Sequence, residues 1–304
     1  MRIYNPLTFF CAAQVFCFLT VPLVSSGEPL RFAISDLLAE TLTPQLEFSV
    51  EEQDEEVSTD KEQDADISIV SMGSLPALER LRTGNIDLAV MAFPEGAEVP
   101  RSEFSIYPFA YAVSIIAVNE NNPLDEISLS RLAGIYGTGE AYNFTTWGDL
   151  GLSGWGSRKI KPLSGHTDDS IALELFKYSV LVGGSLKPAV DIVREEEVIR
   201  LLENDPASVA ILSRVPQESS AKILLLSKND TAPAYGPTND NIHFGDYPVR
   251  LTFYVVGPKS KSNKIGEILR NLWSDEIADQ LAAEGIFALP KTVREKLIID
   301  LDLD

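Results

Sequence analysis

The chain is 304 residues long, 45% hydrophobic and 23% charged, a make-up that excludes both a disordered tail and a single small module and leaves room for about two domains. With 45 acidic against 25 basic side chains the formal charge is −20, so the surrounding field repels polyanions and excludes nucleic acid as a partner. A pocket lined with backbone amides can still be locally positive, so the net charge leaves a small ligand open.

Residues 1–26 open on Arg2, continue through an apolar stretch centred on Phe9 to Leu23, and leave by the small residues Val24, Ser25 and Ser26. This three-part pattern predicts a secretory signal peptide and hence export to the periplasm. Gln14, Thr20 and Pro22 interrupt the apolar run, which argues against a permanent anchor. Cys11 and Cys17 both fall in the leader, so the mature chain has no thiol for a disulfide, a nucleophile or a metal site.

Leu30 to Ser35 reads as a strand, and Asp36 opens a helical pattern carried by Leu37, Leu38, Leu42 and Leu46. Glu51 to Asp66 holds nine acids and one lysine; like charges at that density predict a solvated loop, and without a glycine turn it is a poor calcium loop. Ile67 to Met72 is a strand, Gly73 and Ser74 a turn, Leu75 to Leu81 a short helix and Ile86 to Met91 a buried strand. This βαβαβ rhythm predicts a parallel sheet whose ligand loops lie at the strand C-terminal ends.

Ala110 to Val118 is a long extended run that ends on the turn residues Asn121, Asn122 and Pro123. A glycine-rich aromatic stretch follows from Gly134 to Gly156, and its Tyr136, Tyr142, Phe144, Trp147 and Trp155 suit packing better than a sugar platform. Ile160 to Leu163 is a strand, after which Thr167, Asp168 and Asp169 supply cap and first-turn residues for a helix bearing Ile171, Leu175, Phe176 and Val180. Val198 to Leu202 is a helix, Val209 to Leu212 and Ile223 to Leu226 are strands, and Lys228 to His243 is a polar loop. Val249 to Val256 is a second long extended run. One amphipathic helix from Ile265 to Leu281 stops at Gly285, and the acid-alternating end, 300–304, is expected to fray.

Tyr107-Pro108 and Tyr247-Pro248 lead the two extended runs, 140 positions apart. If both runs cross between lobes, residues 27–109 and 246–304 share one lobe and 110–245 form the other. Two such ribbons make a hinge, and a ligand is captured in the cleft between hinged lobes. The fold class expected is therefore α/β, two-lobed, with mostly parallel sheets and two hinge crossovers.

Four stretches carry a family resemblance. They are Met72-Gly73-Ser74 through Ile86-Asp87; Tyr107-Pro108-Phe109-Ala110 with Val118-Asn119, Asn122-Pro123 and Trp147-Gly148-Asp149-Leu150; Ile160 to Leu181; and Tyr247-Pro248 through Leu289-Pro290. They resemble the phosphate-binding proteins of ABC-type phosphate uptake systems and, more broadly, the type II two-lobed periplasmic solute-binding superfamily. The resemblance implies a bound oxyanion contacted by loops at several helix starts, where free amides and the helix dipole favour negative charge. The matching positions are Ser35, Asp36, Gly73, Ser74, His166, Thr167, Asp168 and Ser170.

The match departs from the family at three points, one of them a segment from Gly137 to Thr146 that is longer than usual. The family's loop usually reads arginine followed by Ser-Gly-Thr, whereas residues 164–170 here contain no arginine, and Ala92 stands where a carboxylate accepts the phosphate proton. Losing a bidentate guanidinium forfeits about 1.5 to 3 kcal/mol, and Asp168 and Asp169 compete for the same amides.

The same residues also suit a purely structural role, since Ser35, Asp36, Ser74, Thr167 and Asp168 are all cap formers. With only His166 and His243 in the chain a histidine-rich metal site is excluded. Ser219 and Lys222 have the serine-x-x-lysine spacing of some acyl-transfer enzymes, but the companion motifs are missing. The expectation is a binding protein without cofactor or covalent chemistry, whose partners are phosphate or a related oxyanion and a membrane permease or sensor. The alternative keeps the fold but serves as a sensor or adaptor for another protein.

Overall fold

The computed structural model describes residues 29–51, 67–139, 142–166, 171–216, 219–259 and 263–303. The leader with both cysteines, the acidic run beyond Glu51, and Thr167, Asp168 and Ser170 lie outside the described residues.

β1 (Leu30–Ile34), α1 (Ala39–Glu51), β2 (Ile67–Ser71), α2 (Ser74–Arg82) and β3 (Leu88–Phe93) follow the βαβαβ rhythm of the sequence. β2, β1 and β3 run parallel and adjacent. The near-continuous apolar sequences of β1 and β3 reflect burial on both faces, whereas β2, at the sheet edge, is partly exposed. Phe32, Ile34, Leu88 and Val90 join Leu38, Leu42 and Leu46 beside α1, whereas Ala33, Ala89 and Met91 meet Ala77 and Leu81 of α2 on the other face.

β4 (Ser105–Val113), β5 (Ile115–Asn119), β6 (Glu126–Ser128) and α3 (Leu129–Tyr136) come next, then a 3-10 turn at Trp147–Leu150 and β7 (Lys161–His166). After these follow α4 (Ala172–Ser179), β8 (Asp191–Arg194), α5 (Glu195–Asn204), β9 (Ser208–Leu212), β10 (Ala221–Ile223), β11 (Leu225–Ser227), β12 (Ala234–Tyr235) and α6 (Asn239–Phe244). β13 (Arg250–Gly257), α7 (Asn263–Leu272), α8 (Asp275–Ala283), β14 (Phe287–Ala288) and α9 (Lys291–Leu303) complete the chain.

The strands form a six-stranded sheet in the order β14-β4-β13-β3-β1-β2, a five-stranded sheet in the order β10-β5-β9-β7-β8, and a small sheet, β12-β11-β6. In both large sheets three adjacent strands are parallel, β2-β1-β3 and β9-β7-β8, and antiparallel strands are added beside them.

Among the described residues the chain leaves the six-stranded sheet once and returns to it once. β4 pairs with β13 up to Val113, Ser114 alone intervenes, and Ile115 already pairs with Leu212 of β9. The return runs through residues 245–249 into β13. The two passages are bonded to each other: Ser114 N donates to Val249 O (3.2 Å) and Tyr247 OH to Ser114 O (2.8 Å). Ser114 Oγ also donates to Ala172 O at the start of α4 (2.5 Å).

Several elements differ from the sequence reading. The run from Ala110 to Val118 is two strands broken at Ser114, and Ile223 to Leu226 is divided at Leu224 between two sheets. The polar stretch 228–243 contains β12 and α6. The closing helix is two helices, because Ser274 Oγ accepts the Ile277 amide (3.2 Å) and starts α8. Helix α9 runs to Leu303, with Val293, Leu297, Ile298 and Leu301 packed against the core. Trp147 is fully buried, with Nε1 donating to Ala207 O (3.1 Å), and Trp155 packs edge-on against it. Tyr142, 55% exposed, stacks on Phe144 at the surface.

Candidate functional site

The parallel strands β2, β1 and β3 end together, and the loops leaving them carry Ser35, Asp36, Gly73 and Ser74. Ser35 is buried; its amide donates to Val90 O (3.0 Å) and its carbonyl accepts from Leu38 N (2.8 Å). Asp36 is exposed and accepts from Ser71 Oγ (2.5 Å). Gly73 caps α2 in an extended conformation with no side-chain hydrogen bond to the helix. Ser74 does not cap either: its Oγ accepts the Ala92 amide (2.9 Å), tying the end of β3 to the first turn of α2. These four residues therefore share one edge, whose formally charged member is the Asp36 carboxylate. The dipole of α2 points its positive end there.

On the other sheet β7 ends at His166, in parallel register with Arg194 of β8. The His166 side chain lies outside the described positions, as do Thr167, Asp168 and Ser170. Gly165 just before it has a visible reason: a Cβ there would lie 3.2 Å from the Glu195 side chain. Glu195, only 5% exposed at the start of α5, accepts from Ser213 N (3.2 Å) and Ser213 Oγ (2.6 Å). A carboxylate at a helix start is favourably placed, and it fixes the backbone immediately after β9.

A cavity of about 100 Å³ lies where the two sheets meet. It is lined by Leu37 after β1, Val113 at the end of β4, Ala172 at the start of α4, Arg214 after β9, and Glu284 and Gly285 between α8 and β14. No hydrogen bond or ion pair joins the Arg214 guanidinium or the Glu284 carboxylate to another described residue. Gly285 has φ +76°, and a Cβ on it would lie 2.6 Å from Arg214 Cβ. A glycine is thus needed both for the turn and for its approach to Arg214.

The sequence reading missed Arg214. Its signal is present, however: a basic residue two positions past the apolar run Val209 to Leu212 of β9, at the C-terminal end where ligand loops of α/β sheets gather.

At the crossover, Tyr111 OH and His243 Nδ1 are 2.8 Å apart, and Arg250 lies over the Tyr111 ring while donating to His243 O (2.9 Å). Burial, and then the Arg250 charge, hold the His243 imidazole below its usual pKa, with Asp240 opposing. Burial raises the Tyr111 phenol to about 12. Among the described residues no three His, Cys, Asp or Glu side chains form a metal cluster. Lys222 does not face Ser219: its Nζ donates to Asn122 O (2.6 Å) and Asp125 (2.8 Å), while Ser219 Oγ accepts the Ala221 amide (3.2 Å).

Two α/β units on separate sheets, joined by paired crossover strands, with parallel-strand ends converging at the junction, define the two-lobed solute-binding fold. The chain belongs to the PBP superfamily, whose domain model matches residues 29–278. It is 24% identical over 265 residues to the phosphate-binding protein PstS of Pseudomonas aeruginosa, covering 78% of each chain. Among solved structures it is similar to PstS from Borrelia burgdorferi (TM-score 0.67, 14% identity, 87% of this chain and 100% of that one). It is also similar to a possible phosphate binding protein from Planctomyces limnophilus (TM-score 0.65, 14% identity, 90% and 97%). No helix among the described residues is long and apolar enough to cross a membrane.

Proposed function

We propose that this protein is exported to the periplasm, captures a small oxyanion, phosphate or a related ion, and delivers it to an ABC-type uptake permease. The observation that carries this reading is the convergence of parallel-strand ends from both sheets on one junction, beside an arginine with no partner among the described residues, in a chain of the PBP superfamily. Similarity to the Pseudomonas aeruginosa phosphate-binding protein supports the choice of anion. The lobes are assigned to residues 27–109 with 246–304, and to 110–245, with Ala110 to Val113 as the ribbon still paired to the first sheet.

In this reading Ser35, Gly73 and Ser74 present hydroxyl and amide donors from one lobe, and His166, Thr167 and Ser170 present theirs from the other. Asp36 and Asp168 set the protonation state that the anion must adopt. Closure about the paired crossovers is favoured only by contacts the ligand makes with both lobes at once. Titration calorimetry with phosphate, sulfate and molybdate should give saturable heat with at least one. Silence from all three at millimolar concentration would sink the assignment.

A second reading, a sensor or adaptor of the same fold that binds a protein, is favoured by the acidic pair at 168–169 and the lack of arginine in 164–170. Recovery of an envelope or sensor protein, without a permease, in a pull-down from the native host would select it.

A further inference from the structure

We propose that the anion carries an organic substituent, so that the ligand is a phosphate monoester with its head beside Arg214 and its body in an adjoining cavity; this rests on the oxyanion reading above. The small cavity, about 100 Å³, equals about three waters at roughly 30 Å³ each. It accommodates one tetrahedral head and little else. It adjoins a second cavity of about 640 Å³, and Arg214, Gly285 and Ile286 line both.

The larger cavity has an apolar side made by Ala278, Ala282 and Phe287, with Asp279 as its acid. Its other basic residues, Lys291 and Arg294, are both held by Asp275, at 2.7 and 2.8 Å. Arg214 is therefore the lining cation without a partner among the described residues, and it stands where the two spaces join. Gly285, lacking a side chain, lets the α8–β14 turn close on the Arg214 stem and fixes its base there. A free inorganic ion would leave the larger space to water, whereas an ester would bury apolar surface in it, which favours binding.

Calorimetry with phenyl phosphate and inorganic phosphate on the purified protein tests this. Phenyl phosphate is expected to bind roughly tenfold tighter or better. Ala282→Phe, at an exposed position of α8, should abolish that preference and leave inorganic phosphate binding unchanged. Arg214→Gln should weaken both ligands roughly ten- to a hundredfold. Equal or weaker binding of phenyl phosphate, or a preference that survives Ala282→Phe, overturns the proposal and leaves phosphate capture standing. Failure of both anions to bind overturns the two together.

Discussion

His243 is the side chain whose protonation most directly touches the passage between the sheets. Its Nδ1 faces the Tyr111 hydroxyl, and Arg250 bonds its carbonyl, so a second positive charge there would meet one already in place. Burial and Arg250 lower its pKa, and Asp240 opposes them. The native state therefore favours the neutral ring. The stability this contributes is fully present above the unfolded value near 6.5 and is lost as pH falls from there through the folded pKa. Urea denaturation between pH 7.5 and 5 should show stability declining in the wild type and a shallower decline in His243→Gln. An identical slope in both would refute the assignment.

At this scale the sequence was readable where a residue's chemistry has one use. Gly285 is legible as a helix stop, and its positive φ agrees. Its second task, making room for Arg214, depends on a residue 71 positions earlier and has no local signature. Ser74 illustrates the opposite case, a cap former whose hydroxyl is taken up by a neighbouring strand.

Among the elements, the α7–α8 junction shows how periodicity can hide a boundary. Ile265, Ile268, Leu269, Leu272, Ile277 and Leu281 keep an apolar stripe through the break because both helices cover the same core. The boundary signal is the polar Ser274-Asp275-Glu276, a cap followed by first-turn acids. Trp273 is buried just before it, with Nε1 donating to Pro108 O (3.3 Å). Arg294 of α9 secures the corner, donating to Trp273 O and Ser274 O (both 2.8 Å) as well as Leu289 O (3.2 Å). Ser274→Ala should cost about 1 kcal/mol in a chemical-denaturation experiment. No measurable change would mean that tertiary packing, not the cap, starts α8.

For the molecule as a whole, the two Tyr-Pro landmarks turn out to be inequivalent. Pro108 lies within β4, opposite Tyr254, whereas Tyr247 is buried at the passage itself with its hydroxyl on Ser114 O. Tyr247→Phe removes that bond and leaves a buried carbonyl with one partner fewer, a loss of about 1 kcal/mol. A melting temperature equal to wild type would show that the bond contributes nothing to holding the passages together. Strand-to-helix junctions made half of the candidate site legible, because each is written in a few consecutive residues. The central cavity was not, since it is assembled from segments near 37, 113, 172, 214 and 285, and only the folded topology makes them neighbours.

β2 closes one side of the six-stranded sheet with no strand beyond it among the described residues, and its sequence, ISIVS, leaves Val70 37% exposed. Such an open margin invites pairing with the same margin of a second molecule. The nine acids of 51–66 immediately precede it in the chain. Like charge at that density opposes the association of two copies, most strongly in dilute buffer and less in salt.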